Sequence, residues 1–209
     1  MKLYFSPGAC SLAPHIVMLE LGLKHELVKV DLRAKTYNGG DYWKINPKGS
    51  VPAIGLDSGE VLTEAAVLLQ YLSDLKPDAG LFPKAGGLER VRAQVWLHYV
   101  STEIHKAFGM LFAADRLVKN PEGNQELKAS ASEALRGKFA HLAGHLSEHA
   151  YLLGENFSIA DAYLFTCLRW AGTKGIDLAQ FPALKKYFER VQSRPQVRAA
   201  LEIEGLKPV

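Results

Sequence analysis

The chain is short of cysteine, with two in 209 residues, Cys10 and Cys167. A disulfide-stapled scaffold is therefore excluded. No stretch approaches the ~18 consecutive apolar residues of a membrane span. Pro7 and Gly8 interrupt the N-terminus before a signal-peptide apolar region develops. The expected location is the cytoplasm, a reducing compartment in which the two thiols stay unpaired. No block of like charge occurs: 25 Lys and Arg against 22 Asp and Glu give a scattered formal charge of +3. Neither a nucleic-acid nor a membrane partner is expected from that. GxGxxG, a P-loop, GxSxG and CxxC are all absent, and Ala13 stands where a second thioredoxin-type cysteine would be. Internal repeats and low-complexity segments are missing too.

What is present is an ordinary globular composition, with 48% hydrophobic residues, enough for a full core. "KLYF" reads as a strand ended by a Pro-Gly turn, and Leu12 to Leu21 as a helix closed by Gly22. "HELVKVDL" alternates as a second strand, so the first three elements form β-α-β with a parallel pair. After an irregular stretch over 33–50, "AIGL" and "EVLT" read as a hairpin, and "EAAVLLQYLSDL" as an amphipathic helix. The expected organisation is an α/β unit over residues 1–77, a Pro- and Gly-rich linker over 78–87 and an all-α domain over 88–209. Helical patterns cover 88–118, 126–149, 158–173 and 182–193, with a short one near 196–203. "FSIADAYLF" carries a capping box, Ser158 with Asp161, and a staple residue, Phe157. That is a folding signal worth about 1 kcal/mol as a cap.

Several residues could carry chemistry. Cys10 follows a strand and opens a helix, where backbone N–H groups and the helix dipole favour a thiolate; it could equally fill space beneath the loop. Cys167, in "AYLFTCLRW", reads as packing. The Val51-Pro52 bond is trans by base rate, and Val51 could offer its backbone to an extended peptide. Glu64 could complement the dipole of its own helix, with Thr63 as N-cap. Alternatively, Glu64 could hold a ligand ammonium while the helix N-terminus takes a carboxylate. His98, Thr102 and His105 fall on one face of the expected long helix, with Glu103 and Lys106 beside it. No metal site is expected there, since the two histidines stand nearly two turns apart without a third ligand.

Taken together, "MKLYFSPGACSLAPHI", "INPKGSVPAI", "VLTEAAVLLQYL", "STEIHKAF" and "FSIADAYLF" resemble the glutathione S-transferases over essentially the whole chain. Cys10 in this context, with His105-Lys106, resembles the bacterial beta class. The resemblance implies a thioredoxin-like N-terminal domain with a cis proline at Pro52, a helical second domain and a homodimer. It places Cys10 against the glutathione sulfur, where a mixed disulfide can form, and Lys35 at the glycyl end. Val51 would pair with the cysteinyl part, and Glu64 with the Ala65 N–H would hold the γ-glutamyl amine and carboxylate. Thr102, Glu103 and His105 would come from the helical domain, His105 near the thiol and Glu103 reaching across the dimer. Two positions depart from the family pattern: His98 replaces an asparagine, and Ala65 replaces a glycine or serine.

The chemistry implied is activation of the glutathione thiol, which needs its pKa lowered from near the ~8.5 of free cysteine. The dipole of the first helix and a hydrogen bond from His105 or Ser11 could do this. Phe108, Phe112 and Trp170 are expected to line a pocket for a small apolar electrophile. No metal is called for. Three functions follow: conjugation by glutathione's own thiolate, thiol-disulfide exchange through a Cys10 mixed disulfide, or a non-enzymatic glutathione-binding interaction module.

Overall fold

The computed structural model describes residues 1–207; the last two residues of the expected helical domain lie outside them. The chain runs β1 (Lys2–Phe5), α1 (Leu12–Glu20), β2 (Glu26–Asp31), β3 (Thr36–Tyr37), β4 (Gly40–Asp41), β5 (Ala53–Gly55), β6 (Val61–Thr63) and α2 (Ala65–Asp74). Helices follow: α3 (Leu88–Tyr99), a π-helical turn at Val100–His105, α4 (Lys106–Leu117), α5 (Pro121–Glu148), α6 (Ile159–Thr173), α7 (Pro182–Gln192) and α8 (Pro195–Ile203).

The strands form one sheet in the order β4-β3-β2-β1-β5-β6. β1 and β2 are parallel, with Lys2 opposite Glu26, as a β-α-β crossover requires. β5 and β6 form the expected hairpin, and β5 runs antiparallel to β1. Every residue of α1 from Leu12 to Met18 is buried, because α2, α6 and α8 all pack against it. A helix apolar on all sides belongs in an interior. α6 is likewise buried from Ile159 through Leu168, so these two helices seam the sheet layer to the helical layer.

Three elements differ from the sequence expectation. The irregular stretch holds the β3–β4 hairpin, whose two-residue strands are too short to leave an alternating pattern. The long helix expected over 88–118 is broken by the π-helical turn. α5 starts at Pro121 rather than 126, because the Asn120 side chain accepts from the N–H groups of Glu122 and Gly123. Proline at the first helical position suits that cap.

The capping box at Ser158 forms as expected, but Asp161 does more than cap. Fully buried, its carboxylate accepts from the N–H of Ser158 (2.8 Å) and Leu152 (2.9 Å), and from the hydroxyls of Ser158 (2.6 Å) and Tyr187 (3.0 Å). It ties the preceding loop and α7 to the start of α6. The Phe157 ring meets Tyr151 edge-on and lies 4.0 Å from the Arg194 guanidinium.

Candidate active site

A cleft of about 820 Å³ lies between the sheet layer and the helical layer. Cys10, Lys35, Val51, Glu64 and Ala65 line one wall, and Thr102 and His105 the other. Seven residues singled out in the sequence thus share one space of ligand size.

Cys10 sits one residue before Ser11, the N-cap of α1, rather than within the first turn. Its Sγ donates to the Val51 carbonyl at 3.1 Å. Burial pushes its thiol up to about 12, although hydrogen bonds from the backbone of Cys10 and Ser11 pull the other way. Desolvation outweighs the helix terminus here and favours the neutral thiol over the thiolate. Ser11 is corrected: its hydroxyl is fully buried, accepting from the Ser6 N–H and donating to the Ser6 carbonyl. It has no donor left for a ligand sulfur. The loop carrying Cys10 is held at Gly8, whose N–H donates to Glu204 (2.9 Å) and whose carbonyl accepts from the Trp170 indole (2.8 Å). Gly8 has φ of +71°, a conformation that favours glycine.

The Val51-Pro52 bond is cis, as the resemblance implies and the base rate does not. Lys35 donates to the Gly49 carbonyl at 2.6 Å, with its ammonium over the Trp43 ring. A Cβ on Gly49 would stand 2.6 Å from that ring, so only glycine lets Trp43 close over this corner. Thr63 is not the N-cap of α2: it ends β6, and its hydroxyl accepts from Lys48. Glu64 occupies the N-cap position with φ 74° and ψ 112°, without a side-chain cap. Backbone strain of that kind in a non-glycine residue costs about 1–3 kcal/mol and points to a constraint other than folding. The carboxylate leaves the helix end open and pairs with Lys48 instead.

On the helical wall, hydrogen bonding to the fifth residue rather than the fourth inserts an extra residue and shifts the helix phase. His98 and His105 therefore no longer share a face. His98 is exposed and does not line the cleft, and Glu103 points to Lys138 on α5. The Lys138 ammonium holds the Glu103 carboxyl below its ordinary range. The Thr102 hydroxyl donates to the His98 carbonyl. His105 Nδ1 lies 2.6 Å from Tyr163 Oη, and burial holds the imidazole below its ordinary pKa against the pull of Glu64.

The three expected pocket aromatics form a cluster behind the cleft rather than its lining. Phe108 is fully buried, Trp170 meets Phe108 and Phe112 edge-on, and Phe112 is exposed beneath the Lys174 ammonium. Ser101, Lys106, Gly109 and Tyr163 line the cleft without having been singled out as ligand contacts. Tyr163 was hidden inside the capping segment, where its apolar neighbours made it read as core. Among the described residues no three His, Cys, Asp or Glu side chains come together as a metal site.

Residues 8–75 match the glutathione S-transferase N-terminal domain and residues 96–195 the C-terminal domain. The chain is 41% identical to glutathione S-transferase GstA of Escherichia coli O157:H7, over 99% of this chain and 100% of that protein. A sphingomonad glutathione S-transferase solved in complex with glutathione superposes with a TM-score of 0.91 at 44% identity, covering 99% of this chain and 100% of that one. The beta-class enzyme of Sphingomonas chungbukensis gives a TM-score of 0.91 at 45% identity, over 99% and 100% of the two chains. With the fold, the cleft and both domains in agreement, this chain belongs to the glutathione S-transferase family.

Proposed function

We propose that this protein is a glutathione transferase that binds glutathione along the cleft and joins its thiolate to small apolar electrophiles. The carrying observation is the meeting of Cys10, Lys35, Val51, Glu64, Ala65 and His105 around one space. Their chemistry matches glutathione group by group. Lys35 takes the glycyl carboxylate, and the Val51 backbone takes the cysteinyl amide. Glu64 takes the γ-glutamyl ammonium, and the open N-terminus of α2 at Ala65 takes the adjacent carboxylate. His105 then stands beside the sulfur.

The neutral Cys10 thiol favours conjugation over exchange, because a thiol held at about 12 is a poor nucleophile at pH 7. Glutathione's own sulfur is the attacking atom. Its electrophile enters beside Lys106 and Gly109, which line the cleft. A homodimer is part of this reading. Leu88, Val91 and Val95 stand exposed along one stripe of α3, and Val67 on α2 and Trp43 are exposed as well. That much unpartnered apolar surface suits a second copy.

Titration calorimetry with glutathione and with cysteinylglycine tests the assignment. Glutathione should bind and the dipeptide, lacking the γ-glutamyl group, should bind at least tenfold more weakly. Equal affinities would refute the roles of Glu64 and Ala65, and no heat with millimolar glutathione would refute the site. Non-reducing mass spectrometry completes the test. A stoichiometric glutathione adduct on Cys10, released by dithiothreitol, would move the assignment to exchange.

A further inference from the structure

The phenol of Tyr163 faces the site, yet none of the glutathione contacts assigned above uses it. The residue is 2% exposed, lies early in α6, and still reaches the cleft wall. Its Oη is 2.6 Å from His105 Nδ1. In a neutral imidazole one nitrogen donates and the other accepts, so the direction of this bond fixes the tautomer. A neutral phenol is a strong hydrogen-bond donor and a weak acceptor, and an unprotonated imidazole nitrogen is a strong acceptor, so the favoured arrangement has the phenol as donor and Nδ1 as acceptor. Ser101, also on the cleft wall, contributes a side-chain hydrogen bond to the same phenol.

The ring is packed by two aromatics: Tyr163 meets it edge-on, and the Trp170 ring centroid lies 5.1 Å away. Its other nitrogen, Nε2, has no hydrogen-bond partner among the described residues, and it is not one of their buried orphan nitrogens. Nε2 is thus open to the cleft.

We propose that Tyr163 is a positioning residue for the transfer: by donating to Nδ1 it holds His105 as the Nε2–H tautomer. His105 then stabilises the glutathione thiolate as a hydrogen-bond donor and does not remove the thiol proton, which leaves to solvent. Burial supports this by keeping the ring uncharged near neutral pH. The inference rests on the glutathione reading above.

Nitrogen-15 correlation spectra of the histidine rings test it directly. In the unliganded wild-type protein, His105 should show the Nε2–H pattern. In Tyr163→Phe that pattern should give way to a tautomer mixture. Ultraviolet titration of bound glutathione should then show its thiolate midpoint raised by about one pH unit, a tenfold loss of thiolate. The affinity for S-methylglutathione should stay within about twofold. An Nδ1–H pattern in wild type, or an unmoved tautomer and midpoint in Tyr163→Phe, would overturn the proposal. If Tyr163→Phe fails to fold, the wild-type spectrum decides, and Ser101→Ala serves as the milder variant. Absence of glutathione binding to wild type would instead refute the ligand assignment, and the ring spectra would still decide the tautomer.

Discussion

Glu64 couples a strained backbone to a proposed ligand contact, and two substitutions at this position separate the two effects. Glu64→Ala and Glu64→Gly both remove the carboxylate. Its ion pair with Lys48 is more than half exposed on both sides, so that loss matters by only about 0–1 kcal/mol and is common to both variants. The backbone differs. At φ 74° an alanine retains the steric cost of a Cβ, whereas glycine adopts the region freely. Left-handed conformations cost an L-residue roughly 1–2 kcal/mol, and glycine gives back about 0.5–1 kcal/mol through its looser unfolded chain. Glu64→Gly should therefore exceed Glu64→Ala in stability by about 1 kcal/mol, or about 2–4 °C in Tm for a chain of this size. Both should lose glutathione affinity to a similar degree, at least tenfold, because a charge-assisted hydrogen bond contributes about 1.5–3 kcal/mol. Thermal unfolding and titration calorimetry read the two effects separately. Equal Tm values would refute the strain, and wild-type affinity in either variant would refute the ammonium contact.

Asp161→Ala leaves three buried donors without an acceptor, each costing about 1–3 kcal/mol, while the Tyr187 hydroxyl keeps the backbone carbonyl of residue 161 at 3.4 Å. A Tm drop on the order of 10 °C is expected, and a drop under about 3 °C would contradict the network described for this carboxylate. His105, His25 and His145 are all held below their ordinary value by burial. The unfolded chain therefore binds protons more readily as pH falls below about 6.5, and stability should decline there. Asp161, whose carboxyl burial raises, contributes with the opposite sign, so the difference between wild type and His105→Gln isolates one histidine. Urea midpoints at pH 7.5 and 5.5 should show a shallower loss in the variant, and identical slopes would refute its part. Val95→Glu puts a charge on the exposed apolar stripe of α3 and should yield monomers by analytical ultracentrifugation. An unchanged species would place any dimer contact elsewhere.

Elements with a sustained pattern were legible in the sequence. The strand, Pro-Gly turn and helix around Cys10, the hairpin at Ala53 to Thr63 and the capping box at Ser158 all follow from periodicity and turn chemistry. Elements fixed by tertiary contact were not. The β3–β4 hairpin is too short to show a period, and Asn120-Pro121 starts α5 in a polar stretch with no apolar rhythm. The π-helical turn is invisible because a shift of one residue leaves composition unchanged, yet it decides that His105 reaches the cleft and His98 does not. The state of Cys10 was hidden for another reason. Both the helix terminus and burial act on that thiol, and only the surroundings in three dimensions show that burial prevails. Tyr163 was lost because a tyrosine in an apolar run reads as packing until its hydroxyl is seen against His105.

Conjugation by Cys10→Ala separates the attacking sulfurs most directly. Glutathione and an activated aryl halide supply the reaction, followed by the absorbance of the conjugate at pH 7 with glutathione binding measured in parallel. With the glutathione sulfur as nucleophile, turnover should remain within about threefold of wild type, since a neutral thiol donates no more than one weak hydrogen bond. Collapse of turnover with binding intact would show that Cys10 itself carries the reaction.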